Sequence, residues 1–355
     1  MTIAIAAAGT GGHVFPALAV AEQLGDTEVV FFGGDRFEAT AVPAAGHDFV
    51  QVEVAGLQRS LTPRNLALPF VVRRATAAIA DEMRRRDVSV LLATGGYVTV
   101  PAALAARRLG IPFFLAEQNA HAGLANRLMG RWAEATFTAF PTTEGARKPR
   151  HVGNPVRAAI GGADLAARRP EARRRYGLDP DVPVVGVVGG SLGSRPINEA
   201  VAAAMRGWDG PPVAVLQLAG ERFIDEARAA LDGIDVPWVV VGFEEHMEDF
   251  FAAVDVVVSR ASGMVAELTA TGTPAVLVPG EYGSKGHQAA SAAALTEAGA
   301  AIVVPEADLS TGLGPVLVAL VGDPDRRTAM HEAARAIGRP DAAAVIAGEL
   351  LDAAA

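Results

Sequence analysis

Two stretches of the chain combine a glycine-rich turn with side chains that could move a proton or hold a phosphate. The first is Gly9-Thr10-Gly11-Gly12-His13, which follows an apolar run at residues 3–8. An unperturbed imidazole titrates near neutral pH, so His13 could take the proton of a hydroxyl group as a general base. A polar residue that caps the following helix would look the same. The residues alone leave both interpretations open.

The second stretch is Gly189-Gly190-Ser191, which follows the apolar run Val184–Val188 and precedes Pro196 and the Ile197/Val201 pair of a helix. A buried strand that ends in glycines and leads into a helix directs several free backbone N–H groups at one spot. Such a spot binds phosphate or diphosphate. The stretch has neither the G-x-x-x-x-G-K-[ST] spacing of nucleotide-hydrolysing loops nor the G-x-G-x-x-G of dinucleotide folds. A tight turn packed on a strand is the alternative.

Polar groups also follow two further predicted strands of the N-terminal half. Thr94-Gly95-Gly96-Tyr97 comes after the apolar run Val88–Ala93, and Glu117-Gln118-Asn119 comes after the run at residues 111–116. Ligands collect at the carboxyl edge of a parallel sheet. Together with Asn126 in the next helix, the second group favours hydrogen bonding to a sugar, although it could instead cap a helix.

The C-terminal half adds a carboxylate and an amide at predicted helix starts. Glu267 lies one turn into a helix that follows Arg260, and Gln288 begins an alanine-rich helix. A carboxylate can accept charge-assisted hydrogen bonds from two vicinal ribose hydroxyls. With the glycine turn at residues 189–191, these side chains suit a nucleotide diphosphate. A surface helix position is the alternative for Glu267.

The elements that must position these groups alternate along the whole chain. Short apolar runs, typical of strands buried on both faces, are followed by helices in both halves. The 355 residues are enough for two domains, each with its own core. We therefore predict an α/β protein in which two doubly wound, parallel-sheet (Rossmann-like) domains face each other across a cleft. They are expected at residues 1–155 and 156–339, and the final helix at 340–355 could cross back to the first domain.

Composition excludes several classes of function. A net charge of −9 argues against a nucleic-acid binder, and the absence of cysteine excludes disulfides and thiolate metal sites. Asp179-Pro-Asp181 and Asp323-Pro-Asp325 are typical of turns, so no metal or other cofactor is expected. No signal peptide is predicted, and no window approaches the about 18 consecutive apolar residues of a membrane span. We expect a soluble cytoplasmic protein.

A cationic segment runs from Arg64 to Arg86 and stands out in an acidic protein. Its arginines surround apolar residues that include Leu66 and Phe70. The segment is either a helix packed on the sheet with solvated arginines, or a surface that rests on anionic lipid headgroups with its apolar side chains inserted.

Six ordered motifs that span nearly the whole chain resemble the MurG family, which belongs to glycosyltransferase family 28 and has the GT-B fold. They are G-T-G-G-H-V-F-P-A-L-A at 9–19, T-G-G-Y-V at 94–98, E-Q-N-A-H-A-G-L-A-N at 117–126, G-N-P-V-R at 153–157, G-G-S-L-G-S at 189–194 and the stretch 259–288. The resemblance implies an inverting transfer of GlcNAc from UDP-GlcNAc to the 4-hydroxyl of MurNAc in undecaprenyl-diphosphate-MurNAc-pentapeptide (lipid I). The product would be lipid II, made in peptidoglycan synthesis.

The same resemblance implies roles for individual residues. His13 would be the base for the acceptor hydroxyl, and Glu117 and Asn119 would lie at the reacting sugar. The implied contacts to the acceptor diphosphate come from Gly11, Gly12, Gly95, Gly96 and Tyr97. The implied contacts to UDP-GlcNAc come from Thr10, Gly11, Gly12, Asn119, Arg157, Gly190, Ser191, Phe243, Met264, Glu267 and Gln288.

The resemblance also implies a peripheral protein on the cytoplasmic face of the cell membrane, within reach of a cell-wall synthesis or division complex. The chain departs from the family pattern at Glu244, at residues 260–267, which are one residue shorter, and at residues 285–288. Two alternatives therefore stay open. One is another GT-B transferase or a UDP-GlcNAc 2-epimerase, and the other is an inactive scaffold that binds a nucleotide sugar or lipid.

Overall fold

The computed structural model describes residues 1–53, 63–190, 192–280 and 286–355, and for residues 63–67 and 287 it describes the backbone alone. The chain divides into two compact units. The first comprises Met1–Ala158 and Arg339–Ala355, and the second comprises Ala159–Gly338. Within the described ranges, no helix is both long and apolar enough to cross a membrane.

Each unit contains one parallel sheet, and the described strands are numbered along the chain. The strands of the first sheet are β1 (Thr2–Ala6), β2 (Glu28–Gly33), β3 (Asp48–Gln51), β4 (Val88–Ala93), β5 (Phe113–Glu117), β6 (Thr136–Thr138) and β7 (Pro149–His151). The strands of the second are β8 (Val184–Val188), β9 (Ala214–Leu218), β10 (Trp238–Val241), β11 (Val256–Ser259), β12 (Ala275–Leu277) and β13 (Ala301–Val303).

The helices follow the strands in the manner of βα units. Through residue 206, the described helices are α1 (Gly11–Glu22), α2 (Glu38–Ala44), α3 (Pro63–Arg85), α4 (Thr99–Leu109), α5 (Leu124–Met129), α6 (Ala158–Gly161), α7 (Leu165–Tyr176) and α8 (Arg195–Arg206). The remaining helices are α9 (Ile224–Ala229), α10 (Met247–Ala253), α11 (Met264–Thr271), α12 (His287–Glu297), α13 (Leu309–Gly322), α14 (Pro324–Ile337) and α15 (Ala342–Ala354).

The first sheet is covered on both faces because successive side chains of a strand point to opposite sides. Ile3 and Ile5 of β1 belong to one apolar cluster, which Ile346 and Leu350 of α15 complete. Ala4 and Ala6 belong to the other cluster, with α3 and α4 side chains. The C-terminal helix therefore forms part of the core of the first unit.

The second sheet has the same construction. Val184 and Val188 of β8 face one apolar cluster, and Val185 and Val187 face the other. Gly186 interrupts this run of valines because a Cβ at that position would lie 2.7 Å from the ring of Phe250. The glycine thus makes room for a buried aromatic side chain of α10.

The strand orders locate the places where a ligand can bind. The first sheet has the order β3-β2-β1-β4-β5-β6-β7, and the second has β10-β9-β8-β11-β12-β13. The connections turn outward in opposite directions from β1 and β4, and likewise from β8 and β11. Doubly wound sheets bind ligands at the carboxyl ends of such strand pairs. The glycine turns found in the sequence follow three of these four strands, namely β1, β4 and β8.

The helix after the first glycine turn begins earlier than a loop-like glycine sequence suggests. α1 starts at Gly11, so that Gly11, Gly12 and His13 form its first turn. The first N–H groups of a helix have no partner within the helix in any case, which makes glycine tolerable there. The backbone donors of this turn are consequently arranged as a helix N-terminus.

Candidate active site

The first glycine loop connects β1 to α1 and presents backbone donors. Thr10 is the N-cap residue of α1 in an extended conformation, and its hydroxyl does not cap the helix. The N–H groups of Gly11 and Gly12 have no hydrogen-bond partner within the described residues. At a helix N-terminus such groups, together with the helix dipole, favour an anion.

A buried carboxylate accepts hydrogen bonds from this loop and from the loop after β2. Glu38, at the start of α2, is 0% exposed. Its Oε2 accepts a hydrogen bond from the N–H of Gly9 at 3.0 Å, and its Oε1 accepts one from the N–H of Gly34 at 2.9 Å. Sequence analysis missed Glu38, because an acidic residue shortly after a strand does not by itself indicate a buried contact.

His13 contacts two other loops through a single ring nitrogen. Its Nδ1 lies 3.0 Å from the carbonyl oxygen of Thr94 and 3.1 Å from Oε1 of Gln118. The hydroxyl of Thr94 in turn donates to the carbonyl oxygen of His13 at 3.0 Å. Because a carbonyl oxygen can only accept, Nδ1 carries the hydrogen, and the lone pair of the neutral ring is on Nε2.

The second glycine loop, between β4 and α4, packs closely on the first. A Cβ added to Gly95 (φ +108°) would lie 2.8 Å from Nδ1 of His13. A Cβ added to Gly96 (φ +78°) would lie 2.3 Å from the carbonyl oxygen of Ala8. Both positions therefore require glycine. The backbone of this loop can approach a ligand at the same place as His13.

Tyr97 completes the second loop. Its phenol lies against Gly34, and the guanidinium of Arg36 is 5.7 Å from the centre of its ring. Burial raises the pKa of Tyr97, and the nearby carboxylate of Glu38 raises it further. The phenol therefore remains protonated at neutral pH and can donate a hydrogen bond.

Glu117 is surrounded by donors at the end of β5. Its carboxylate is buried, and it accepts hydrogen bonds from the backbone and side-chain amides of Asn119, the N–H of Gly123 and the side-chain amide of Asn126, at 2.8–3.1 Å. Four donors occupy most of the acceptor capacity of a carboxylate. The geometry makes Glu117 the group that fixes Asn119.

Arg157 also belongs to the first unit. Its guanidinium carbon lies 5.9 Å from the centre of the Phe15 ring, on the helix that carries His13. This contact brings a cation to the first turns of α1. The first unit thus brings together Thr10, Gly11, Gly12, His13, Gly95, Gly96, Tyr97 and Arg157, with Glu117 and Asn119 on the neighbouring strand end.

In the second unit, the loop after β8 is held by close backbone contacts. Gly190 has φ +96°, and a Cβ on Gly193 would lie 2.2 Å from the carbonyl oxygen of Ala219. The side-chain amide of Asn198 donates to the same carbonyl at 3.1 Å. Ser191 lies outside the described residues.

Arg260 connects this loop to the neighbouring strands. It follows β11, donates to Oγ of Ser194 at 2.9 Å and to the carbonyl oxygen of Val278 at 3.3 Å, and forms an ion pair with Glu306. The prediction of site residues omitted Arg260, although the sequence shows an arginine directly after a predicted strand. Its contacts join the ends of β8, β11 and β12.

The side chains predicted to bind the donor in the second unit lie at the starts of helices or after the ends of strands. Met264 and Glu267 lie in the first turn of α11 and are partly buried, and Oε1 of Gln288 accepts from the N–H of Gly280 at 2.7 Å. The sheet order places the loops after β8, β11 and β12 side by side. Phe243 follows β10, the edge strand, which β9 separates from β8. The strand order therefore does not place Phe243 next to the other predicted residues.

The neighbour of Phe243 is a buried carboxylate. Glu244 accepts hydrogen bonds from Nη2 of Arg175 at 2.9 and 3.1 Å, from the hydroxyl of Tyr176 at 2.6 Å and from the N–H of His246 at 2.8 Å. Burial alone would raise the pKa of Glu244, but these donors hold it below its usual range. In the described part of the chain, no group of three or more histidines and carboxylates could hold a metal ion.

Two family models match most of the chain. The model of the glycosyltransferase family 28 N-terminal domain matches residues 3–138, and that of the family 28 C-terminal domain matches residues 184–346. A protein of Halorhodospira halophila is 43% identical over 96% of this chain and 95% of its own length, and one of Salinibacter ruber is 40% identical over 97% and 94%. Both are named UDP-N-acetylglucosamine–N-acetylmuramyl-(pentapeptide) pyrophosphoryl-undecaprenol N-acetylglucosamine transferase.

Solved structures show the same fold. The crystal structure of Acinetobacter baumannii MurG matches with a TM-score of 0.80 and 28% identity over 99% of both chains. A UDP-GlcNAc 2-epimerase from Neisseria meningitidis, bound to UDP-GlcNAc, matches with a TM-score of 0.67 at 12% identity over 99% of this chain and 100% of its own. The latter likeness concerns the fold alone. With two parallel-sheet domains of the GT-B type and both family models matched, the chain belongs to glycosyltransferase family 28.

Proposed function

We propose that this protein transfers N-acetylglucosamine from UDP-GlcNAc to the 4-hydroxyl of the MurNAc sugar of lipid I, giving lipid II and UDP. The observation that carries the proposal is the 43% identity, over 96% of this chain, to a transferase named for that activity. The geometry of His13 supports it, because this site needs a base for a sugar hydroxyl.

In the proposed reaction, the acceptor hydroxyl attacks C1 of GlcNAc from the face opposite to UDP. The new C1–O4 bond forms as the bond from C1 to the diphosphate oxygen breaks, and UDP leaves with that electron pair. Nε2 of His13 takes the hydroxyl proton, which its fixed Nδ1–H permits. The configuration at C1 is therefore inverted.

The first unit would hold the acceptor. The N–H groups of Gly11 and Gly12, the backbone of Gly95 and Gly96 and the phenol of Tyr97 are donors suited to the lipid diphosphate. Asn119, which Glu117 fixes by hydrogen bonds at 2.9 and 3.1 Å, would contact the reacting sugars.

The second unit would hold the donor. The loop after β8 leads into α8, and its Gly190 and Ser191 would bind the diphosphate. Glu267 would accept from the two ribose hydroxyls. Met264, Gln288 and Phe243 would line the rest of the nucleotide-sugar site.

A single assay tests the proposal. The purified protein is incubated with UDP-GlcNAc and a soluble lipid I analogue, and the products are separated by mass. Disaccharide and UDP in equal amounts are expected. A GlcNAc epimer formed without acceptor, or binding of UDP-GlcNAc without turnover, would overturn the proposal.

We also propose that the first unit rests on the cytoplasmic face of the cell membrane as a peripheral protein. On α3, Phe70 is 76% exposed and lies near Arg73, which forms no ion pair within the described residues. Arg74, Arg84, Arg85 and Arg86 are paired with carboxylates, and the side chain of Arg64 lies outside the described residues. Among the described side chains of α3, the apolar and cationic character needed for anionic headgroups thus lies mainly at Phe70 and Arg73.

Nearby helices of the same unit extend this character. The guanidinium carbons of Arg107 and Arg131 lie 4.1 and 4.3 Å from the centre of the Trp132 ring. Leu124 and Leu128 of α5 are exposed. We expect co-sedimentation with phosphatidylglycerol vesicles at low salt and its reduction by F70S/R73E, with R326E of α14 as the matched charge control. Equal sedimentation of the wild type and both variants would contradict the membrane role of α3.

A further inference from the structure

The amide side chain of Gln118 meets the ring of His13 at the nitrogen opposite to the proposed base. Oε1 of Gln118 is 3.1 Å from Nδ1, and the carbonyl oxygen of Thr94 is 3.0 Å from the same atom. The two acceptors belong to different loops, one after β4 and one after β5. The ring is therefore held from two directions.

The orientation of the amide follows from Thr94. Since Nδ1 must donate to the Thr94 carbonyl, an NH₂ group turned toward Nδ1 would face another donor. Gln118 consequently presents its oxygen to His13. Its Nε2 is buried without a hydrogen-bond partner among the described residues, so no contact of the protein with Nε2 imposes this orientation.

Few ionisable groups share these surroundings. Among the described residues of the loops that touch His13, they are Glu117, whose carboxylate accepts from Asn119, Gly123 and Asn126, and Tyr97, whose raised pKa keeps the phenol neutral. The loop after β5 also carries His121, whose Nδ1 lies 2.8 Å from Oε2 of Glu144. Glu38 contacts Gly9 in the loop that precedes α1, and Arg157 lies over Phe15 on α1 itself. The group that faces Nδ1 is the uncharged amide of Gln118.

We propose that Gln118 is a positioning residue for the transfer reaction. It holds the orientation of the His13 ring in the tautomer that the Thr94 carbonyl sets, with Nε2 as the unprotonated atom, and its carbonyl dipole stabilises the imidazolium formed as the hydroxyl loses its proton. This inference rests on the proposed function of His13 as the base.

The decisive variant is Gln118→Glu, which keeps the shape of the side chain and adds a charge beside Nδ1. An opposite charge within hydrogen-bonding distance favours the protonated imidazole and raises its pKa by about one unit or more. We expect the acid limb of the pH profile of kcat/KM for the acceptor to move to higher pH by the same amount. A side chain at position 118 that did not contact the ring of His13 would not move this limb.

Gln118→Leu provides the complementary measurement. Loss of one acceptor for Nδ1–H should lower kcat by about 5- to 10-fold, in line with the net contribution of one hydrogen bond, without a change in KM for UDP-GlcNAc. Gln23→Glu is the matched charge control, because this exposed residue caps the other end of α1, about 15 Å away by the helix rise. Its pH profile should coincide with that of the wild type.

A direct titration separates this inference from the proposed function. The ring of His13 is followed by NMR in the wild type and in Gln118→Glu, and its signal is assigned by its loss in His13→Ala. A raised His13 pKa in Gln118→Glu supports the contact even if no disaccharide forms. Identical His13 titrations and identical acid limbs in the wild type and Gln118→Glu would overturn the positioning role, whatever the wild-type activity.

Discussion

Oε2 of Glu38 lies 3.0 Å from the backbone nitrogen of Gly9, which ties the start of α2 to the first glycine loop. Its other oxygen holds Gly34, so that one buried carboxylate joins the loops after β1 and β2. Because the N–H of Gly9 is already bonded, it is not available to an anionic ligand, whereas those of Gly11 and Gly12 have no acceptor within the described residues. Glu38 thus removes the N–H of Gly9 from the donors that a substrate can use.

We predict that Glu38→Ala destabilises the first unit by about 2–4 kcal/mol, because the buried N–H of Gly34 and the partly buried N–H of Gly9 lose their acceptor. KM for the acceptor should rise, whereas KM for UDP-GlcNAc should change little. Urea unfolding and steady-state kinetics measure the two effects. Asp35→Asn removes an equal charge from an exposed position of the same loop and serves as the control. A rise confined to the donor KM would contradict this assignment.

His13→Ala should lower kcat by roughly 10²–10⁴-fold, the usual contribution of a general base. The affinity for UDP should be preserved, since the proposed nucleotide contacts lie largely in the second unit. Single-turnover kinetics measure the chemical step, and circular dichroism checks the fold. An unchanged rate would remove His13 from the reaction.

Glu267→Ala should act on the donor. Loss of a carboxylate that accepts from ribose hydroxyls removes about 1.5–3 kcal/mol per charge-assisted hydrogen bond, so KM for UDP-GlcNAc should rise by roughly 10-fold or more. The decrease in kcat should be smaller. Glu297→Ala, at an exposed position of α12, is the matched control in the same unit. A defect in kcat alone would argue against contact with the ribose.

The central elements could be predicted from the sequence because their signals are local. The runs at Val88–Ala93 and Val184–Val188 are short, apolar and followed by glycine, and they form β4 and β8 with those bounds. In contrast, β3 (Asp48–Gln51) and β13 (Ala301–Val303) are short outer strands. Such strands bury less surface and need no long apolar run, so periodicity alone does not reveal them.

The residues that hold the site in place were harder to predict from the sequence than its glycine loops. Gly95 and Gly96 were visible as a motif, but the contact of His13 with Gln118 joins residues 105 positions apart, and that of Gly9 with Glu38 joins residues 29 positions apart. Only the packing of strand ends in three dimensions creates such pairs. A single sequence shows that Glu38 and Gln118 are polar, but it gives no information about their partners.

Stability of the second unit should depend on pH through Glu244. Its carboxylate is buried, and donors from Arg175, Tyr176 and His246 hold its pKa below the usual value despite the opposing effect of burial. A carboxyl group with a lowered pKa in the folded state contributes stability above its unfolded pKa, near 4.3, and loses it as pH falls through the folded pKa. The free energy of unfolding should therefore decrease from about pH 5 downward.

Glu244→Gln tests this dependence. At pH 7 the variant should be less stable by about 1–3 kcal/mol, because it loses charge-assisted hydrogen bonds, and its stability should converge with that of the wild type as pH falls. The dependence should be flattened but not abolished, since the pKa of Asp249 is also lowered by Arg168 and Arg175 against the opposing effect of burial.

The measurement is urea unfolding followed by tryptophan fluorescence at pH 7 and pH 4. A Trp132→Phe background restricts the signal to Trp208 and Trp238 of the second unit, because the chain has three tryptophans. Glu171→Gln is the control, because Glu171 and its partner Arg174 are both highly exposed and such a pair contributes about 0–1 kcal/mol. If Glu244→Gln and the wild type lost stability in parallel between the two pH values, the hydrogen-bonded carboxylate would not be the source of the acid sensitivity.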